Sequence, residues 1–315
     1  MKNTGLVVAA LLALGLAVTL GPTAIPLGDL IHSPIVRDLR VPRALLGLLV
    51  GGALGVSGAG LQALVRNPLA DPFLMGLSGG AGLGAVGAIA LHLSGPWALP
   101  LAAFVGALAA MALVYRLGLV AGATLDPRIL LLAGVVVGSF AAAISTAIVS
   151  LSEAEQLRNA MLWLWGGLSG ASWTTVLVML LYLPVPLIIL IFAARPLDLM
   201  ALGDEPAAYL GADVARVRRR VYLAASLLTA AAVAVSGVIG FVGLIIPHIG
   251  RLIWGHRHRA LIPVSFLGGG ILLMLSDTLA RTAVAPRELP VGIVTALIGV
   301  PAFAVLLRRW VGVRA

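Results

Sequence analysis

Long apolar runs separated by short polar breaks dominate the chain. The clearest run lies between Arg43 and Arg66, where Ala44 to Val65 holds 22 residues without a charge. As a helix it crosses a hydrocarbon core of ~30 Å. Gly47, Gly51 and Gly55 recur within it at intervals of four, a spacing that lets neighbouring helices approach closely. The pattern predicts a central post with other helices around it. Ahead of it, an apolar run near 5–25 predicts a first span. Its single basic residue, Lys2, resembles the start of a signal peptide. The run continues past Pro22 to Leu27 with no A-x-A site behind it, so an uncleaved helix is preferred. Gly28 to Arg43 is then the first external loop.

After the post, Asn67-Pro68-Leu-Ala-Asp71-Pro72 makes a sharp stop, because each proline bars its predecessor from helical geometry. Further spans are predicted near 73–93, 98–120 and 129–150. Ser152-Glu153-Ala-Glu155 is a helix start with acids in its first turn. Trp163, Trp165 and Trp173 suit a membrane interface, so this segment is read as a short helix lying at the surface. A sixth span near 174–194 carries Pro184 and Pro186 as kinks. Arg195 to Arg220 is the longest polar stretch, with one short helix over Leu197 to Leu202 and another over Glu205 to Gly211, ended by a glycine cap. The 33 residues from Val221 to Ile253 are too long for one span and tight for two. A hairpin split at Gly237 to Gly240, with Pro247 bending its second arm, accommodates them. Spans near 261–280 and 290–307 bring the total to about ten transmembrane helices. The fold class is an all-α polytopic membrane protein, one domain over 1–315.

Composition agrees: 61% of residues are apolar and 10% charged, and the mean hydropathy is +1.10, far from soluble usage. Without cysteine there is no disulfide and no thiolate metal site. A net charge of +9 marks the cytoplasmic side rather than a nucleic-acid partner. With both termini inside, 15 of the 21 basic residues face the cytoplasm. Arg37, Arg40, Arg43, Arg158, Arg281 and Arg287 face outward. Against the inside bias, clustered external arginines need a reason: headgroup contact, or a docking patch for an acidic partner. Arg40 and Arg43, three apart, share a side.

The spans hold no catalytic constellation. Asp277 is the only carboxylate inside one, with Arg281 a turn on for an ion pair. An ion-coupled carrier usually needs intramembrane ionisable groups, and a membrane enzyme needs a nucleophile, metal ligands or paired acids. A passive conduit driven by another subunit needs neither. Small residues of the fifth span, from Gly134 to Thr146, suit a wide path. His248 reads as structural, and His256 and His258 as a solvated loop. No G-x-x-x-x-G-K-[ST] sequence exists, so an ATP site would belong to another subunit.

Four stretches resemble one family. Arg40-Val-Pro-Arg43 with Gln62-Ala-Leu-Val-Arg-Asn-Pro-Leu-Ala-Asp-Pro72, Glu205-Pro-Ala-Ala-Tyr-Leu-Gly211, Pro247-His248-Ile-Gly-Arg251 and Glu288-Leu-Pro-Val-Gly292 are similar to FecCD-type permeases of ABC importers for vitamin B12, haem and iron-siderophores. The resemblance covers nearly the whole chain. It implies a type II ABC importer permease fold and a transport subunit without enzymatic activity of its own. Two copies would enclose the path, mainly between their fifth and tenth helices. Two ATPase subunits would hold ATP and Mg, with no cofactor in this chain. A periplasmic or lipid-anchored binding protein would deliver a metal chelate, and the setting would be the bacterial inner membrane. The alternative is an ion-coupled secondary transporter. By the same resemblance, Arg40, Arg43 and Arg281 dock the binding protein. Glu205, Ala207, Ala208 and Gly211 seat in the ATPase, within a loop of about 195–220. The family's E-A-A…G motif has alanine where this chain has Pro206, which a helix's first turn tolerates. Asp126, Pro127 and Arg128 open the fifth span as the cytoplasmic gate.

Overall fold

The computed structural model describes residues 2–30, 32–120 and 124–312. Arg314, counted above as cytoplasmic, lies outside them. Thirteen α-helices run along the described residues: α1 (Lys2–Thr19), α2 (Val41–Leu64), α3 (Leu77–Ala90), α4 (Ala98–Gly118), α5 (Pro127–Ser150), α6 (Ala154–Leu164), α7 (Trp173–Tyr182), α8 (Pro184–Met200), α9 (Asp204–Tyr209), α10 (Val214–Ser236), α11 (Val242–Trp254), α12 (His258–Thr282) and α13 (Val291–Gly312). Two-residue strands β1 (Leu119–Val120) and β2 (Thr124–Leu125) pair antiparallel between α4 and α5. Seven segments are long and apolar enough to span a membrane, with α7 and α8 counting as one, and three shorter apolar helices accompany them: α3, α11 and most of α13. These ten segments follow the ten predicted spans.

The bundle has two ends. Lys2 donates to the Ile253 carbonyl and Trp254 to Asn3, so the N-terminus, the end of α11 and the start of α12 share one end, termed basal. The starts of α2 and α13 and the end of α12 meet at the other, distal end, where Arg43 bonds Asp277 and Glu288.

α2 is the post that its glycines predict. A Cβ on Gly51 would run into the Gly269 carbonyl, one on Gly55 into that of Ser265, and one on Gly58 into that of Gly243. The first two contacts seat α12 and the third seats α11. Between apolar helices in lipid there is little hydrophobic drive, so backbone proximity and buried hydrogen bonds hold the bundle. Ser57 supplies such bonds to α10, reaching the Ala225 carbonyl at 2.8 Å and Thr229 Oγ1 at 2.7 Å.

Three expectations are corrected, and the predicted hairpin between α10 and α11 is found at a depth the sequence did not give. The segment after α5 does not lie at the surface. Gln156 bonds His92 beyond the distal end of α3, while Leu164 packs at Gly82. α6 therefore descends along α3, roughly 12 Å deep over those eight residues. The hairpin between α10 and α11 turns inside the protein. Gly237 lies under Trp163 and Gly166, Gly167 N–H donates to the Ser236 carbonyl at 2.8 Å, and α11 begins against Gly58, well along α2. α11 thus covers only the basal part of the bundle. The sixth span does not end at 194: α8 runs through Pro196 to Met200, which narrows the 195–220 loop to residues 201–213. Finally, His258 is no solvated loop residue. It is buried, its Nδ1 2.6 Å from Asp198; His256 alone is exposed.

Candidate functional site

At the basal end, α9 lies on the bundle between two glycines with positive φ, Gly203 at +124° and Gly211 at +87°. Only glycine enters those conformations without strain, which sets the sharp turns into and out of so short a helix. Ala207 is fully buried against the bundle. Glu205 and Ala208 face outward with Tyr209, which is 91% exposed, and with Leu202 and Leu210. A bare apolar tip on a basal loop is a surface built to be covered.

Two guanidiniums fix the base of α9. Asp204 accepts from Arg66, at the end of α2, and from Arg218 of α10 at 2.9 Å to each oxygen. Burial alone would raise the Asp204 pKa, but the hydrogen bonds and charges of Arg218 and Arg66 outweigh it and hold the carboxyl below its usual range. Asp204 is therefore ionised throughout the physiological range. Arg218 Nη1 also donates to the Leu125 carbonyl at 2.9 Å. The next residues are the predicted gate. Asp126 caps α5 by accepting from Arg128 N–H at 2.7 Å, and Pro127 occupies the first turn. Arg128 is exposed.

The motif around Gln62 and the one around Arg251 meet nearby. Arg251 donates to Gln62 Oε1 at 2.6 Å, and Gln62 Nε2 donates to the carbonyls of Ala70, Gly243 and Leu244. Sequence reasoning singled out both stretches but not this bond. It missed Asp204, which directly precedes the coupling motif, and Arg218, which nothing in the run Arg216 to Arg220 separates from its neighbours.

At the distal end the three arginines do not form an open patch. Arg40 is 4% exposed and donates to the carbonyls of Val18, Thr19 and Thr23. Arg281 is 3% exposed, donates to the Ala17 carbonyl and lies 3.7 Å from Asp277. Both cap the last turn of α1, whose final carbonyls lack helical partners. Arg43 spans Asp277 and Glu288, each at 2.9 Å. Arg37, Asp38, Arg287 and Glu288 are exposed on this rim.

Beneath the rim lies an apolar cavity of about 550 Å³, lined by Leu164, Trp165, Val238 and, on α13, Gly292, Ile293 and Ala296. α5 does not line it. Instead α5 presents Leu132, Val136 and Phe140, spaced at one helical turn, on an exposed stripe.

A helical bundle of ten apolar segments, with a bare short helix at one end and an apolar cavity along α13, defines a polytopic permease. The chain belongs to the FecCD transport family, whose model matches residues 6–309. It is 43% identical over 281 residues to the hemin transport system permease protein HmuU of Yersinia pestis, covering 86% of this chain and 82% of that one. It is 46% identical over 275 residues to the cobalamin import system permease protein BtuC of Halobacterium salinarum, covering 87% and 73%. A solved structure described as an inward-facing metal-chelate type ABC transporter superposes with a TM-score of 0.89 at 30% identity, over 97% of this chain and 98% of that one. The fold is that of the type II ABC importer permeases, and the chain is a multi-pass transport permease.

Proposed function

We propose that this chain forms, with a second copy of itself, the translocation path of an ATP-driven importer of a metal chelate. The observation that carries the reading is α9, whose exposed Tyr209, Leu202 and Leu210 stand on a base held by two arginines. Such a helix suits a groove on an ATPase subunit, one per copy, and those subunits hold ATP and Mg. The permease domain is the whole chain, in the inner membrane of a bacterium. Arg66, Arg216, Arg219, Arg220, Arg251, Arg257 and Arg259 gather at the basal end, which supports both termini being cytoplasmic.

The stripe on α5 and the cavity wall on α13 support a path between two copies. Asp126, Pro127 and Arg128 then close its cytoplasmic mouth. The binding protein docks at the distal rim: Arg40 and Arg281 hold the loops in shape, while Arg43, Glu288, Arg37 and Arg287 carry the reachable charge. The ion-coupled alternative lacks support, because Asp277 is locked between Arg43 and Arg281 and is not free to carry a cation.

Haem, cobalamin and ferric dicitrate are the cargoes named for the relatives, which supports a metal chelate as the cargo here. Vesicles holding the assembled importer, offered haem, cobalamin and a ferric siderophore with matching binding proteins, should accumulate one of them. Accumulation of none would contradict the proposal. In the same vesicles, Asp126→Cys in both copies should crosslink in at least one nucleotide state and block uptake. No crosslink in any state, with long or short reagents, would remove the gate assignment.

A further inference from the structure

The sequence offers Arg218 as one arginine in a basic, solvated run. The structure buries it, 6% exposed, beneath α9. Its two terminal nitrogens divide their work. Nη2 holds both oxygens of Asp204, at the base of the exposed helix, and Nη1 holds the main-chain carbonyl of Leu125, each at 2.9 Å. Leu125 is 3% exposed, pairs with Leu119 across the two strands, and directly precedes the cap of α5. From these contacts we infer that Arg218 is the positioning residue that passes displacement of α9 to the basal end of α5, and so links ATP-driven movement to the mouth of the path. This rests on the function proposed above.

Three features favour a link over a plain structural pair. The guanidinium is planar and holds its two partners at a fixed relative position, as a lysine cannot. Its targets belong to two different elements, the short helix α9 and the α4–α5 connection. Among the described residues its Nε–H is buried without a partner. A buried donor left unmade marks an arrangement that is not fully satisfied. Arg66 provides the comparison: it holds Asp204 as well but, among the described residues, makes no bond to the α4–α5 connection.

The test uses the complete importer in vesicles, measuring cargo taken up per ATP hydrolysed. Arg218→Lys keeps a charge near Asp204 and loses the second arm. It should lower uptake per ATP by about tenfold, within the range seen when a coupling contact is removed, while the ATPase subunits still co-purify and hydrolyse ATP. Asp204→Asn should act in the same direction. The two changes together should be no worse than Arg218→Lys alone, because they break one link. Arg66→Gln should keep most of the coupling. A spin label at 128 in each copy should lose its nucleotide-dependent distance change in Arg218→Lys, a readout that a merely stabilising contact would not move. An unchanged uptake-to-ATP ratio, a label that still responds, or parallel loss of uptake and hydrolysis would overturn the link. Absence of ATP-dependent uptake in the unaltered protein would instead overturn the proposed function itself.

Discussion

Asp277 sits between two guanidiniums, those of Arg43 and Arg281, at the distal end of the bundle and with Glu288 balances their charge. Removing one partner of a buried pair leaves uncompensated charge and costs about 3–5 kcal/mol. Asp277→Ala should therefore destabilise by that amount in detergent unfolding, and a loss of less than about 1 kcal/mol, the worth of an exposed pair, would show the network to be solvated. Arg40 acts on a different object: it caps α1, and Arg40→Ala should expose α1 to proteolysis while the rest of the bundle stays intact. Proteolysis unchanged from the parent would remove that role. The sequence makes these arginines conspicuous by placing positive charge on the wrong side of the membrane. It cannot tell a guanidinium that faces a partner from one that closes a helix end. That difference depends on carbonyls of α1, more than twenty residues away along the chain.

At the scale of elements, the close approach of α2 to α12 is the joint most sensitive to volume. Gly51→Leu would push a side chain into the backbone of Gly269, and neither helix can give way without moving the other. Overpacking of this kind costs about 1–3 kcal/mol or more. Gly15→Ala on α1, where a Cβ meets nothing, should leave the unfolding midpoint at or slightly above the parent's, since alanine is the better helix former. Equal effects of the two would contradict the tight α2–α12 joint. α9 offers a second element test. At Gly211, φ is +87°, and proline, fixed near −65°, cannot adopt it. Gly211→Pro should abolish substrate-stimulated ATPase activity and spare membrane insertion; stimulated activity at the parent level would sink the coupling role of α9. The ten apolar segments were legible because hydropathy and length alone define them. The course of α6 was not legible: acids and tryptophans read as an interface helix, while its descent depends on Gly82 accepting Leu164. The internal turn before α11 was hidden for a related reason, since a glycine-rich break looks the same at the surface and inside the bundle.

Across the whole molecule, a distal rim fixed by buried ion pairs, an apolar cavity below it and a basal helix with a bare apolar tip lie along one bundle. The family motifs in the sequence pointed to both ends. The bond between Gln62 and Arg251 and the bridge through Arg218 required the folded chain, because each joins residues from distant parts of it. The central claim is that energy enters through α9 from a separate ATPase and not from an ion gradient. The direct measurement is cargo uptake by vesicles holding the full importer, with ATP supplied and every ion gradient collapsed by ionophores. The account predicts undiminished uptake that stops when ATP is replaced by a non-hydrolysable analogue. Uptake that survives without hydrolysable ATP and disappears with the gradient would contradict it.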